Sequence, residues 1–123
     1  MTKRVLIVDD DKDLSELLEM TFSMLGDIEV FRVFNGQEGY DKAVEIKPDL
    51  ILMDYKMPTM NGWESARLIR DNPEIGKTPI VGYTAWASKE DIQKGLQQIG
   101  LNEILTKPID FEVWGEKLNR YLS

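Results

Sequence analysis

Residues 3–14 read KRVLIVDDDKDL. Val5–Val8 is a run of four apolar residues, and three aspartates follow it without a break. An apolar run this short, stopped this abruptly, is the pattern of a buried strand whose end meets the surface. Directly beyond it, Leu14, Leu17, Leu18, Phe22 and Leu25 recur at helical spacing until Gly26. A strand running into a helix through an acidic turn is the unit from which the fold can be read.

The unit recurs along the chain. Glu29–Phe34 reads as a second strand, and Asn35 as the N-cap of a helix carrying Tyr40, Ala43 and Val44 that Pro48 ends. Leu50–Met53 is a third apolar run. The loop Met57-Pro58-Thr59-Met60-Asn61-Gly62 leads from it to a helix with Trp63, Ala66 and Ile69. Pro79–Thr84 is the fourth strand. Ser88 with Asp91 predicts a capped helix start, with Ile92, Leu96 and Ile99 as the apolar face and Gly100 as the stop. Ile104–Thr106 is the fifth strand, and Asp110 caps a last helix carrying Phe111, Trp114, Leu118 and Leu122.

Five βα units in succession argue for an α/β fold, a parallel sheet with helices on both faces. Right-handed crossovers leave two common doubly wound arrangements. The first strand-to-helix turn lacks Gly-x-Gly-x-x-Gly, which counts against the dinucleotide-binding type. Five strands suit the flavodoxin-like type, with predicted order 2-1-3-4-5.

Composition narrows the function. The 123 residues fit one domain and suffice for a core without covalent staples. The chain has neither cysteine nor histidine, so disulfides, thiolate metal sites, imidazole bases and a phosphohistidine of its own are excluded. A formal net charge of -7 opposes nucleic-acid phosphate and anionic membrane surfaces. No apolar run reaches the roughly 20 residues of a membrane span, and Val5–Val8 is too short for a signal peptide. The expected address is cytoplasmic.

Ligands in such a sheet bind beyond the carboxyl ends of the strands, at the point where strand order reverses. Strand one ends in Asp9-Asp10, strand three in Asp54, strand four in Thr84 and strand five in Lys107. Three carboxylates should therefore converge, with a hydroxyl and an ammonium opposite them. Their excess of two negative charges suits one hard divalent cation, and Mg²⁺ takes one or two carboxylates while bridging to phosphate oxygens. A carboxylate can also act as a phosphoryl nucleophile, in a transfer governed mainly by positioning and charge neutralisation.

Val8-Asp9-Asp10, Met53-Asp54-Tyr55-Lys56-Met57-Pro58 with Gly62, Thr84-Ala85 and Lys107-Pro108, in this order and each at a strand end, resemble a two-component response-regulator receiver domain. The likeness runs from about Lys3 to Leu122. It implies that Asp54 is the phosphoacceptor, that Asp9 and Asp10 are metal-side acids, and that the Lys56 backbone carbonyl is a further Mg²⁺ ligand, with Mn²⁺ a possible substitute. It implies that Thr84 is the switch hydroxyl and Lys107 the phosphate-binding lysine, often preceding a cis proline bond. The phosphoryl donor would be a sensor histidine kinase or histidine phosphotransfer protein. Residues 1–123 would form a single receiver without an effector domain. Output would then pass to a target protein on the face of helix 88–100, strand five and helix 110–122. No turnover of external substrates is expected.

The sequence departs from that pattern at Ile104, where many receivers carry Tyr or Phe, so the aromatic part of the switch lacks its usual residue. Tyr83 is close in sequence, but strand alternation aims it away from the Thr84 face, and it is given no substitute role. Lys56 and Trp86, two residues beyond Asp54 and Thr84, are placed to influence phosphoryl lifetime, and a bulky Trp86 would shield the acyl phosphate from water.

Each feature has a plainer reading. Asp9–Asp11 alone could be a solvated helix start, Asp54 a turn aspartate, Thr84 a strand-end residue, Lys107-Pro108 a surface turn. A calcium loop on Asp9, Asp11 and Asp13 fails, because Leu14 and Met20 stand where it needs Gly and Glu. A phosphorylation-independent interaction module is the main alternative function. A metal-dependent phosphatase lacks a separate acid or base, and an electron carrier binding flavin phosphate would meet three repelling aspartates.

Overall fold

The computed structural model describes residues 2–85 and 88–123, which form five strands and five helices. The strands are β1 (Lys3–Val8), β2 (Ile28–Val33), β3 (Leu50–Asp54), β4 (Ile80–Thr84) and β5 (Glu103–Thr106). All neighbours pair in parallel, in the order β2-β1-β3-β4-β5. This is the flavodoxin-like arrangement that the alternating units predict.

Alternation along the buried strands sends their side chains into two separate cores. Leu6, Val8, Ile51, Met53 and Ile80 face one side, covered by α2 (Gly36–Ile46), α3 (Gly62–Asp71) and α4 (89–99). Val5, Ile7, Leu50, Leu52, Val81 and Tyr83 face the other, covered by α1 (Lys12–Ser23) and α5 (Phe111–Asn119). Burial on both faces is why β1 and β3 read as continuous apolar runs rather than alternating ones.

The helices start where local chemistry directs. Asp11, Asn35, Asn61, Ser88 and Asp110 each accept a backbone N–H with the side chain at an N-cap. Ser88 with Asp91 forms the predicted capping box, and Asn61 with Glu64 forms another.

Several sequence expectations need correction: β4 begins at Ile80 rather than Pro79, β5 at Glu103 rather than Ile104, and Phe111 stands exposed at the start of α5. The second strand occupies Ile28–Val33, one residue earlier than predicted. Phe34 leaves the ladder, and its ring lies beneath the Lys12 ammonium, 5.0 Å from the centroid. Leu17 is 47% exposed, because Leu18 and Phe22 fill the inward stripe of α1. Leu96 likewise faces outward. Helix α4 opens as an α-helix over Lys89–Gln93 and continues as a π-helix over Lys94–Ile99. The wider turn brings Gly95 and Ile99 inward and rotates Leu96 out. Gly95 lies so close to the Trp63 ring that a Cβ there would sit 3.0 Å from it.

Among the described residues no helix is long and apolar enough to cross a membrane.

Candidate functional site

The carboxyl ends of β1, β3, β4 and β5 meet in one cleft. Asp9 follows β1 directly. Its amide donates to the Val33 carbonyl at 3.1 Å, which extends the ladder by one residue and fixes the chain at the sheet edge. The Asp9 side chain is completely buried. Its Oδ1 accepts the Asp11 amide at 2.9 Å, and its Oδ2 accepts the Tyr83 hydroxyl at 2.8 Å.

Asp54 is the last residue of β3 and is also buried. The next amide, of Tyr55, donates to the Tyr83 carbonyl at 3.0 Å, and the Gly62 amide donates to the Tyr55 carbonyl at 2.8 Å. The start of α3 thus presses on the end of β3. Gly62 makes that approach possible, since a Cβ there would collide with the Asp54 carbonyl oxygen.

Asp10 completes the acidic group from an exposed position. One carboxylate oxygen each from Asp9, Asp10 and Asp54 lies within 4.8 Å of the others. Lys107, just past β5, enters from the opposite side. Its Nζ stands 3.3 Å from Asp54 Oδ1 and 4.0 Å from Asp9 Oδ2. The Lys107 amide donates to the Thr84 carbonyl at 2.9 Å, joining the ends of β4 and β5. Thr84 is buried at the end of β4, and the Lys107–Pro108 bond is cis.

Electrostatics follow from this crowding. Burial, reinforced by Asp9 and opposed by Lys107, pushes the Asp54 carboxyl up from its ordinary 3.8 to about 7. Burial first, and then Asp9, holds the Tyr83 hydroxyl well above its ordinary range, so it remains a protonated donor. Three carboxylates against one ammonium leave the cluster short of positive charge. An octahedral Mg²⁺ with oxygens at about 2.0–2.1 Å spaces its ligands about 2.9 Å apart when adjacent and about 4.2 Å when opposite. The spread of the three carboxylate oxygens is close to that span, so the donor set fits a hard divalent cation.

The structure therefore gathers Asp9, Asp10, Asp54 and Lys107 in one cleft and places Thr84 at the end of the intervening strand. Lys56 is exposed in the β3–α3 loop. Ile104 packs partly buried against the core beneath α2, α3 and α4 and offers no polar atom. Trp86 lies outside the described residues.

Two groups were missed. The ring of Tyr83 does belong to the α1/α5 core, yet its hydroxyl crosses to Asp9. The available signal was a hydroxyl-bearing residue in an otherwise apolar buried strand. Tyr55, next to Asp54, donates to Asp91 Oδ1 at 2.9 Å, and Trp63 Nε1 donates to the Asp91 carbonyl at 2.8 Å. The two rings lie 4.5 Å apart. The acid that caps α4 is thereby tied to the residue following Asp54.

Known proteins share this architecture. Residues 5–119 match the family model of the response regulator receiver domain. The polar-differentiation response regulator DivK of Brucella anthropi is 34% identical over 123 residues, covering 100% of this chain and 98% of that protein. The chemotaxis protein CheY4 of Vibrio cholerae superposes with a TM-score of 0.89 at 29% identity, covering 98% of this chain and 99% of that one. The receiver domain of a Pseudomonas aeruginosa sensor histidine kinase, solved with a magnesium ion coordinated in its active-site cleft, superposes with a TM-score of 0.87 at 29% identity, covering 99% and 98%. The chain belongs to the response regulator receiver domain family, the signalling modules of two-component systems.

Proposed function

We propose that residues 1–123 form one receiver domain in which Asp54 accepts a phosphoryl group from a phosphohistidine on a separate sensor kinase or histidine phosphotransfer protein. The observation that carries this reading is the environment of Asp54. Its carboxylate ends a strand in a buried cleft, 3.3 Å from an ammonium and beside two further carboxylates that fit a cation. Asp54 attacks phosphorus, the new Oδ–P bond forms as the P–N bond breaks, and the departing imidazole nitrogen keeps the electron pair.

Asp9, Asp10, Asp54 and the Lys56 backbone carbonyl would hold Mg²⁺, or Mn²⁺ in its place. Bound there, the cation neutralises charge on the phosphoryl oxygens. Lys107 serves the same oxygens from the opposite side, and the Thr84 hydroxyl donates a hydrogen bond to them. The domain promotes its own phosphorylation and dephosphorylation and turns over no external substrate. Output passes through a target protein docking on α4, β5 and α5.

Intact mass after incubation with acetyl phosphate and Mg²⁺ tests the chemistry. One phosphoryl adduct, dependent on Mg²⁺ and absent from Asp54→Asn, is expected. An adduct that persists in Asp54→Asn assigns the acceptor elsewhere. Absence of an adduct with both acetyl phosphate and a phosphohistidine donor overturns the reading. Ile104 favours one alternative, an interaction module indifferent to phosphorylation. On that reading partner binding would be the same for the wild type and Asp54→Asn, with or without a phosphoryl donor.

A further inference from the structure

Tyr83 is completely buried, and its ring meets Trp114 of α5 edge-on with centroids 5.5 Å apart. From this fixed seat its hydroxyl reaches Asp9 Oδ2 at 2.8 Å, and the Lys107 Nζ lies over its ring at 5.1 Å from the centroid. One side chain anchored in the α1/α5 core thus touches a metal-side acid and the lysine opposite it.

We propose that Tyr83 is the positioning residue of this site: its hydroxyl fixes the Asp9 carboxylate in the pose that faces the cation, and its ring steers Lys107 toward Asp54. The inference rests on the reading of Asp9, Asp10 and Asp54 as a Mg²⁺ site.

Asp9 Oδ1 accepts the Asp11 amide and Oδ2 accepts the Tyr83 hydroxyl. Two donors from different elements hold the plane of the carboxylate, one of whose oxygens lies within 4.8 Å of oxygens of Asp10 and Asp54. The hydroxyl also competes with Lys107 for Oδ2. With Tyr83 on that oxygen, the ammonium stands 4.0 Å from Asp9 and 3.3 Å from Asp54. Without the hydroxyl, Oδ2 is left to Lys107. A tighter Asp9–Lys107 pair then draws the carboxylate away from the cation and the ammonium away from Asp54. Partners that orient metal-ligating carboxylates in this way have measurable effects on metal affinity.

The test is a Mg²⁺ titration of the unphosphorylated chain followed by amide ¹H–¹⁵N shifts. Tyr83→Phe keeps the ring and removes the hydroxyl. Tyr121→Phe, which loses a hydroxyl donated to Glu103 away from the site, is the control. Tyr83→Phe is expected to keep its shift dispersion and bind Mg²⁺ about tenfold more weakly, with the control within about twofold of wild type. A purely structural hydroxyl would lower stability and leave Mg²⁺ affinity alone, so equal affinity in Tyr83→Phe overturns the proposal while the metal site stands. A folded wild type that shows no saturable response overturns both.

Should Tyr83→Phe fail to fold, the wild type labelled at tyrosine Cζ gives a second measurement. The assigned Tyr83 signal is expected to shift with the same midpoint as the amides. A Tyr83 signal unmoved by Mg²⁺ overturns the proposal.

Discussion

In the metal-free protein, mild acidification from neutral pH should raise stability, and Asp54 is the reason. Its carboxyl is buried beside Asp9 and is pushed up from 3.8 to about 7, with Lys107 offsetting part of the effect. Between those values the native state holds a proton on Asp54 that the unfolded chain has released. Stability rises with pH where the unfolded state binds more protons, so here the slope is reversed. The contribution is fully present below about pH 3.8 and is lost as pH rises to about 7. At about 1.36 kcal/mol per pH unit the whole window comes to about 4 kcal/mol. That is a large share of the roughly 5–15 kcal/mol that holds a typical domain together.

The assay is urea unfolding in the presence of a chelator, from about pH 8 down to about pH 5, on the wild type and Asp54→Asn. The variant cannot ionise at this position, so the difference between the two curves reports the ionisation of Asp54 together with its coupling to Asp9. Asp54→Asn should be the more stable protein at about pH 8, by up to about 4 kcal/mol, and the gap should narrow to about 1–2 kcal/mol by about pH 5. Parallel curves would refute the reasoning, because they would mean that Asp54 ionises at no cost in its buried seat.

Other outcomes follow from the same geometry. Lys107→Met removes the ammonium that lowers the Asp54 carboxyl, so the fall in stability should extend to higher pH in the same urea series; an unchanged upper limit would show that the ammonium does not act on Asp54. Saturating Mg²⁺ should narrow the gap between wild type and Asp54→Asn at about pH 8, since an opposite charge favours the ionised carboxylate; an unchanged gap would place the cation elsewhere. Gly62→Ala forces a Cβ into the Asp54 carbonyl and should cost about 1–3 kcal/mol by urea midpoint, with no loss expected if α3 could retreat freely. Tyr55→Phe removes the hydroxyl donated to Asp91 and should cost about 0.5–1.5 kcal/mol, with faster hydrogen exchange in the first turn of α4; unaltered exchange there would show that the bond does not anchor the helix.

The fold was legible because its determinants are local. Apolar runs marked the strands, and Asn35, Ser88 and Asp110 stand at observed N-caps. The topology rule then carried Asp9, Asp10, Asp54 and Lys107 to one sheet edge, where the structure places them. What escaped depended on non-local packing. Leu96 has helical spacing with Ile92 and Ile99, but the π turn that rotates it outward accompanies the fit of Gly95 against Trp63, a residue of another helix. The tie from Tyr55 to Asp91 spans 36 residues, and neither side chain announces it.

Tyr83 shows where the alternation rule stops. The rule fixes the direction of Cβ, and at Tyr83 it is correct: the ring lies with Val81 and Leu105 under α1 and α5. A sheet separates its two faces only as far as its strands extend. Tyr83 is one residue from the end of β4, and Asp9 is one residue past the end of β1. Beyond that edge a long side chain from one face can reach a group that short side chains reach only from the other. Asp9 accordingly takes its hydroxyl donor from the α1/α5 core, while Gly62, which abuts Asp54, opens a helix of the opposite core. Both layers therefore hold the cluster. Contacts run from Asp54 to α3 and α4 through Gly62 and Tyr55, and to α5 through Lys107, Tyr83 and Trp114.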